Sequence, residues 1–241
     1  MIEHKEIVKK FGRAHVAKTC KEINENTIVY LGDLVIDEIL PTYNLRYIFG
    51  NLLYGLDKIY NLENLEKVFG FASFSNIKDS NGLESLQEIE KDAFFFQLEN
   101  SEGLISLKKT KTAYFTKLKY SKGLENLEII YGSAEFNSLE NAESLLNLRK
   151  IEGTAIFDNL KKSKGLEKLE YIGDNAYFNM LETAEGLINL RKIVGNAWFP
   201  SLNTPTGLDN LKSTDSLQYF TGAGITLNEL RKSDKIKYLK R

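Results

Sequence analysis

The sequence predicts an α/β repeat solenoid, and three observations support this fold class. Similar segments with a period of 21 residues, one of them a residue shorter, follow one another along most of the chain. Each segment contains apolar residues in strict alternation, which predicts a short strand with one buried face. Each also contains apolar residues three positions apart, the spacing of a tight helical or 3₁₀ turn. Because no single segment can bury its own apolar residues, successive segments must stack into one core.

The repeated frame is G-L-x-x-L-x-x-I-x-G-x-A-x-F-x-x-L-x-x-(S/A). Its A-x-F portion predicts the strand, and the glycine before it predicts a bend between the strand and the preceding turn. The small residue at the end predicts a corner that has no room for a larger side chain. Shorter echoes of the frame lie at 31–39 and 44–56. The full segments begin at Asn61, Gly82, Gly103, Gly123, Ser144, Gly165 and Gly186.

The frame resembles the leucine-rich repeat, with A-x-F-x-x-L standing where that family has L-x-L-x-x-N-x-L. The short period is similar to that of compact bacterial-type members, and the resemblance covers residues 28–225. It implies a curved, right-handed solenoid with a parallel β-sheet on the concave face and short helical or 3₁₀ turns on the convex face. It also implies a role in binding proteins. The family's asparagine is present only as Asn76 and Asn159, so no asparagine ladder is expected at that corner.

Helical caps are predicted at both ends of a single domain that spans 1–241. Residues 1–27 form the first cap, because their apolar side chains fall on one side of a helix and would cover the first open repeat. About nine repeats follow over 28–222. The stretch "TLNEL" has capping-box spacing, which predicts a second helical cap over 223–241.

Candidate catalytic side chains are scarce. Both histidines, His4 and His15, and the single cysteine, Cys20, fall in the predicted N-terminal helix. The histidines are predicted to be solvated there, and Cys20 to be a small buried hydrophobe. No motif for a metal, a nucleotide or a covalent intermediate occurs in the chain. The sequence therefore predicts a protein that is not an enzyme and that uses no cofactor or metal.

Charge and hydropathy narrow the class of partner. The formal net charge is −1, which disfavours nucleic acid as the main ligand, because that binding depends on neutralising phosphates. The basic stretch 231–241 is explained more simply by its own helix dipole and an acidic solenoid.

The chain has no signal-like N-terminus and no apolar run that could span a bilayer, so a cytoplasmic protein without a membrane partner is expected. A secreted protein whose signal peptide had been cleaved would show the same sequence. Abundant Asn, Lys and Ile are typical of an AT-rich microbial or phage genome.

The outward positions of the A-x-F strands predict a binding surface. Over the seven full repeats they hold only four charged residues but six aromatic ones, whereas the outward positions of the leucine turns are mostly charged. Aromatic enrichment with charge depletion is typical of an interface. The candidate binding residues are Phe71, Asp92, Phe94, Phe96, Tyr114, Glu135, Ile156, Asp158, Tyr177 and Trp198.

One column of this surface gives the sharpest prediction. The residue between Ala and Phe is aromatic in two adjacent repeats, at Phe94 and Tyr114. After Glu135 and an isoleucine it is aromatic again, at Tyr177 and Trp198. Two aromatic clusters around an acidic residue would suit a protein partner with apolar anchors and a basic group.

Three other interpretations of the aromatic surface stay open at this level. Aromatic residues favour strands and stabilise sheets in cross-strand pairs without binding anything. Exposed Tyr and Trp side chains also stack on sugar rings, which would make the protein a carbohydrate-binding module. A structural, self-assembling solenoid is the third interpretation, and the sequence leaves the oligomeric state open.

Overall fold

The protein is a parallel β-solenoid in which each turn of about 21 residues contributes two short strands. The computed structural model describes residues 9–202, 204, 206–212, 214 and 216–218. In chain order the strands are β1 (Val16–Ala17), β2 (Val29–Tyr30), β3 (Leu34–Ile36), β4 (Tyr47–Ile48), β5 (Leu52–Tyr54), β6 (Lys67–Val68), β7 (Ala72–Ser73), β8 (Glu88–Ile89), β9 (Ala93–Phe94), β10 (Lys109–Thr110), β11 (Ala113–Tyr114), β12 (Ile129–Ile130), β13 (Ala134–Glu135), β14 (Lys150–Ile151), β15 (Ala155–Ile156), β16 (Tyr171–Ile172), β17 (Ala176–Tyr177), β18 (Lys192–Ile193), β19 (Asn196–Trp198) and β20 (Ser216–Gln218).

Within the described residues, the strands form two parallel sheets of ten strands each. Sheet A contains β1, β2 and the even-numbered strands up to β18. Sheet B contains the odd-numbered strands from β3 to β19, together with β20. Each strand pairs with its equivalents in the neighbouring turns, so that Ala113 lies between Ala93 and Ala134. Equivalent positions of the repeat therefore stack in columns along the solenoid.

The second side of the solenoid is formed by sheet A, where helical turns were predicted. The L-x-x-L-x-x-I portion ends in a strand, as in β8, where Ile89 is fully buried and Glu88 points outward. Between the leucines the chain mostly forms single hydrogen-bonded turns, and within the described repeats 3₁₀ helices occur at Glu102–Leu104 and Glu185–Leu187. Apolar residues three positions apart fit successive tight turns as well as a helix, so the spacing does not distinguish them.

The core between the sheets is built from columns of identical side chains. The Ala and Phe of the A-x-F strands are fully buried, as predicted. Neighbouring phenylalanine rings stack with centroids 5.1–5.2 Å apart and planes 4–15° from parallel. The stack consists of Phe74, Phe95, Phe115, Phe136, Phe157, Phe178 and Phe199. Each inner ring is therefore covered on both faces by the phenylalanine rings of the preceding and following turns.

The corner that closes each turn holds a small buried residue, as predicted, and this residue also bonds between turns. The Ser80 hydroxyl accepts a hydrogen bond from the Gly103 backbone N–H at 3.0 Å and donates to the Asn100 carbonyl at 3.2 Å. The glycine that follows the corner is required at Gly123, where φ is 97°. A Cβ there would also overlap the carbonyl oxygen of Ser101 in the preceding turn.

An asparagine ladder runs along the corner formed by the L-x-N-L portion of the repeat. No ladder was predicted at this corner. The Asn126 amide donates to the carbonyl of Ile105 at 2.7 Å, and the Asn147 amide donates to that of Glu125 at the same distance. Equivalent bonds are donated by Asn44, Asn64, Asn189 and Asn210. These bonds satisfy backbone carbonyls at a corner where the short strands of sheet A have not yet begun.

The N-terminal segment differs from the continuous helix predicted over 1–27. From residue 9 onward, the α-helix covers only 9–11, and Gly12 follows with a φ of 81° that no right-handed helix accommodates. Two 3₁₀ helices, Arg13–His15 and Cys20–Glu22, then flank β1. β1 pairs with β2, so this segment extends sheet A as a strand.

Two side chains of this segment differ from expectation. Cys20 is exposed and not buried, because it opens a 3₁₀ turn outside the strand. His15 is half-buried, and its Nδ1 lies 2.9 Å from the carbonyl oxygen of Asn26. His4 and the second predicted cap over 223–241 lie outside the described residues.

Candidate functional site

All ten predicted binding residues lie on the outer side of sheet B. We call the outward side chains of this sheet between residues 71 and 201 the sheet B face. Strand register confirms the predicted column, since Tyr114 lies opposite Phe94 on one side and Glu135 on the other. Farther along, Tyr177 lies opposite Trp198. The column reads Ser73, Phe94, Tyr114, Glu135, Ile156, Tyr177 and Trp198.

Four aromatic rings form a continuous cluster on the first half of the sheet B face. The rings of Phe94 and Tyr114 stack at 5.0 Å with planes 10° apart. Phe96 lies 5.6 Å from both of these rings, and Phe71 meets Phe94 edge-on at 6.0 Å. Phe96 is exposed and the other three are half-buried. We call these four residues the aromatic cluster.

Two apolar residues extend the aromatic cluster toward the N-terminus. Val35 lies opposite Leu53 in the same column, and their exposed fractions are 48% and 40%. Leu53 in turn lies opposite Ser73, the neighbour of Phe94. The sequence analysis did not name Val35 and Leu53 as binding residues, although both are apolar at an outward position. The column is therefore apolar or aromatic on four of the five strands from β3 to β11, with Ser73 of β7 as the exception.

Glu135 lies next to the aromatic cluster, opposite Tyr114 in the outward column. Its carboxylate has neither a hydrogen bond nor an ion pair to any residue that the structure describes. Burial against its neighbours raises the pKa of the Glu135 carboxyl above its ordinary value. The same carboxylate and that of Asp92 add to burial in raising the pKa of the Tyr114 phenol.

Asp158 lies in a second column of the face, between two asparagines of the neighbouring turns. The Asn179 amide nitrogen donates to Asp158 Oδ1 at 2.7 Å, and the Asn137 amide nitrogen donates to Oδ2 at 3.4 Å. Because both amides turn their nitrogen toward the carboxylate, their oxygens point elsewhere. Both of those Oδ1 atoms are buried, with no hydrogen-bond donor among the described residues. Sequence reasoning named Asp158 but missed Asn137 and Asn179, whose spacing of one repeat on either side was the available signal.

Some charged residues elsewhere on the solenoid have close partners of opposite charge. The eight ion pairs among the described residues all lie off the sheet B face, as in Lys67–Glu88 at 3.0 Å and Lys164–Glu143 at 2.8 Å. On the face itself, Lys117 donates to the Gln97 side-chain oxygen at 2.5 Å instead of pairing with an acid. The face therefore carries three carboxylates against the one ammonium group of Lys117, which leaves a small net negative charge.

Other kinds of site have little support in the described part of the chain. It contains no group of three or more His, Cys, Asp and Glu side chains arranged to hold a metal ion. Likewise, none of its helices is long and apolar enough to cross a membrane. Comparison with models of known families and with curated proteins finds no match to this chain. The sheet B face is therefore the candidate site on the evidence of its own geometry.

Proposed function

We propose that this protein is a non-enzymatic scaffold that binds another protein through the sheet B face. The observation that carries the proposal is the aromatic cluster, in which three rings pack around Phe94 on a face with few charges. Protein interfaces combine aromatic enrichment with depletion of charge at their centre. Contiguous exposed apolar surface is uncommon on monomers unless it is covered by a partner.

The rigidity of the sheet supports the same proposal. Every strand of the face between β5 and β19 is paired on both sides, so its outward side chains stand at fixed spacings of about 4.8 Å. A surface that is already ordered loses little conformational entropy when a partner binds. The resemblance of the repeat to leucine-rich repeats, which usually bind proteins, agrees with this role for the parallel sheet.

A carbohydrate ligand is less favoured because of how the rings are arranged. Sugars stack on open ring faces, whereas one face of Phe94 and one of Tyr114 are covered by each other at 5.0 Å. Phe71 and Phe96 crowd Phe94 further. The cluster therefore presents edges and packed surface, which suit apolar side chains of a protein.

Affinity capture from a lysate of the source cells, followed by mass spectrometry, tests the proposal. We expect a partner that is retained by the wild-type chain and lost when Tyr114→Ala or Trp198→Ala is introduced. Tyr131→Ala is the matched control, because Tyr131 is 45% exposed and follows β12 of sheet A. Equal recovery of every captured protein by all four forms would contradict the proposal.

Two further measurements separate the other interpretations. Glycans retained on an array by the wild-type chain but not by Tyr114→Ala would favour a carbohydrate-binding module. A dimer or larger assembly in light scattering that dissociates in Tyr114→Ala would favour self-assembly through the same face.

A further inference from the structure

We propose that the cooperative unit of this solenoid is a pair of turns, fastened within itself at one corner and able to open there from the next pair. We call the segment that follows each strand of sheet B the closing corner; after β9 it covers 99–103. The three pairs are the turns whose closing corners follow β7 and β9, β11 and β13, and β15 and β17. Opening at this corner is a property of the fold and does not depend on the proposed function.

Backbone pairing at the closing corner joins the turns two by two. The amides of Glu99 and Asn100 both donate to the carbonyl of Lys78, at 2.9 and 3.0 Å. Isolated parallel bridges link Asp79 to Asn100, Tyr120 to Asn141, and Lys162 to Thr183. Within the described residues, no backbone hydrogen bond or bridge joins the closing corner at 99–103 to that at 119–123, or that at 140–144 to that at 161–165. Both sheets, in contrast, continue through every one of these turns.

The conformation of the closing corner alternates with the same period of two turns. The residue before the first leucine of the frame has a φ of 96–99° in every second turn, at Gly82, Gly123, Gly165 and Gly207. The equivalent residue has no positive φ in the intervening turns, at Gly103, Ser144 and Gly186. The alternation begins at Gly82, because Asn61 one turn earlier also has a positive φ. Neighbouring closing corners therefore differ in kind, although the sheets repeat in every turn.

Different hydrogen bonds hold the two conformations, and those of one kind cross between turns. Where φ is positive, the glycine N–H donates to the carboxylate two residues later in its own turn, as Gly165 does to Glu167 at 2.9 Å. Equivalent bonds are donated by Gly82, Gly123 and Gly207.

In the intervening turns the same N–H donates to a serine hydroxyl of the preceding turn. Gly186 donates in this way to Ser163 at 2.8 Å. Equivalent bonds run from Gly103 to Ser80 and from Ser144 to Ser121. The second turn of each pair is thus bonded back to the first, whereas the first turn of the next pair satisfies its own glycine N–H.

Between pairs, the hydrogen bonds and ion pairs of the closing corner come from side chains. From the first pair to the second, the Ser101 hydroxyl donates to the Lys122 carbonyl at 2.7 Å, and the Lys122 ammonium pairs with Glu102 at 2.7 Å. From the second pair to the third, an alanine replaces the serine, and Lys164 pairs with Glu143 at 2.8 Å. Exposed ion pairs add little stability in water. Opening between pairs therefore costs less than opening within a pair, where backbone hydrogen bonds break.

Hydrogen exchange of the isotope-labelled full chain, followed by NMR, tests the proposal. In the wild type we expect the amides of Glu140 and Asn141 to be protected at least about tenfold more than those of Lys161 and Lys162. The latter are the equivalent residues one turn later, at the start of the next pair. Equal protection at the two places would overturn the proposal.

Two serine variants show whether the turns respond in pairs. Ser80 and Ser101 are both buried, but the Ser80 hydroxyl fastens a pair, whereas that of Ser101 contacts the next pair. Ser80→Ala should lower the protection of the amides at 99–100 by about fivefold and leave those at 140–141 unchanged. Ser101→Ala is the matched control and should leave both unchanged, since Ala142 occupies its position in the second pair.

A similar loss of protection at 99–100 and 140–141 in Ser80→Ala, or the same loss in Ser101→Ala, would contradict the two-turn unit. Should Ser80→Ala fail to fold, Ser163→Ala makes the same test on the third pair. It should lower the protection at 182–183 and not at 99–100. None of these outcomes depends on whether the sheet B face binds a partner, so failure here is separate from failure of the proposed function.

Discussion

Phe95 and Phe115 stack inside the solenoid with ring centroids 5.2 Å apart and planes 4° from parallel. They come from equivalent positions of successive turns, and both rings are fully buried. Tyr114, the residue next to Phe115, points to the opposite side of the strand and contributes to the aromatic cluster. One strand thus supplies the core with one ring and the surface with another.

Replacing the buried ring should cost far more stability than replacing the surface ring. We expect Phe115→Ala to lower the free energy of unfolding by about 3–5 kcal/mol, because it leaves a cavity between two stacked neighbours. Tyr114→Ala should lower it by only about 1 kcal/mol. Urea denaturation followed by circular dichroism measures both. Similar losses for the two variants would mean that the stack contributes little beyond ordinary surface packing.

Asp158→Asn should stabilise the fold. The new amide can donate a hydrogen bond to the buried Oδ1 atom of Asn137 or Asn179 while it still accepts one from the other asparagine. We expect a gain of about 1 kcal/mol in the free energy of unfolding. Thermal unfolding at neutral pH measures the change. Asp92→Asn is the control, because Asp92 has no asparagine above or below it in its column. A lower melting temperature for Asp158→Asn would show that the two amides need the carboxylate charge.

Glu135→Gln should stabilise the protein at neutral pH but not in acid. Burial raises the pKa of Glu135 in the folded state, so the folded protein holds this proton more tightly than the unfolded chain does. That contribution is complete below the ordinary glutamate pKa of about 4.3 and is lost as the pH rises through the folded value. The free energy of unfolding of the variant should therefore be higher than that of the wild type at neutral pH, by less than about 1 kcal/mol. This difference should vanish near pH 4.

Urea denaturation across this pH range measures the effect of Glu135→Gln. Glu140→Gln serves as the control, because Glu140 is exposed and pairs with Lys119 at 3.2 Å. A difference between wild type and Glu135→Gln that stays constant with pH would refute the electrostatic explanation.

Gly123→Ala should be strongly destabilising. The residue has a positive φ of 97°, and a Cβ would overlap the Ser101 carbonyl oxygen of the preceding turn. We expect a loss of about 2–4 kcal/mol in chemical denaturation. Gly55→Ala is the matched control, since a Cβ there would meet only ordinary contacts of 3.4–3.8 Å. If both substitutions had the same small effect, the close approach of successive turns would not limit the choice of residue.

The local pattern of the sequence was sufficient to predict most of sheet B. Alternation in A-x-F assigns Ala113 and Phe115 to the core and Tyr114 to the surface, because strand side chains have a period of two. The repeat length then sets the register, so the order of the outward column follows from the sequence alone. The composition of the sheet B face follows too, since it depends only on which positions point outward.

Tertiary structure decided the remaining features, because they arise from contacts between turns and not from the pattern within one. The spacing of leucines is compatible with a helix or with two turns, and only stacking of Ile89 and its equivalents revealed sheet A. The positive φ of Gly12 ended the N-terminal helix that the apolar periodicity predicted. The orphaned oxygens of Asn137 and Asn179 depend on which way each amide turns toward Asp158. That choice is made by a neighbour one whole turn away, which no local pattern of the chain encodes.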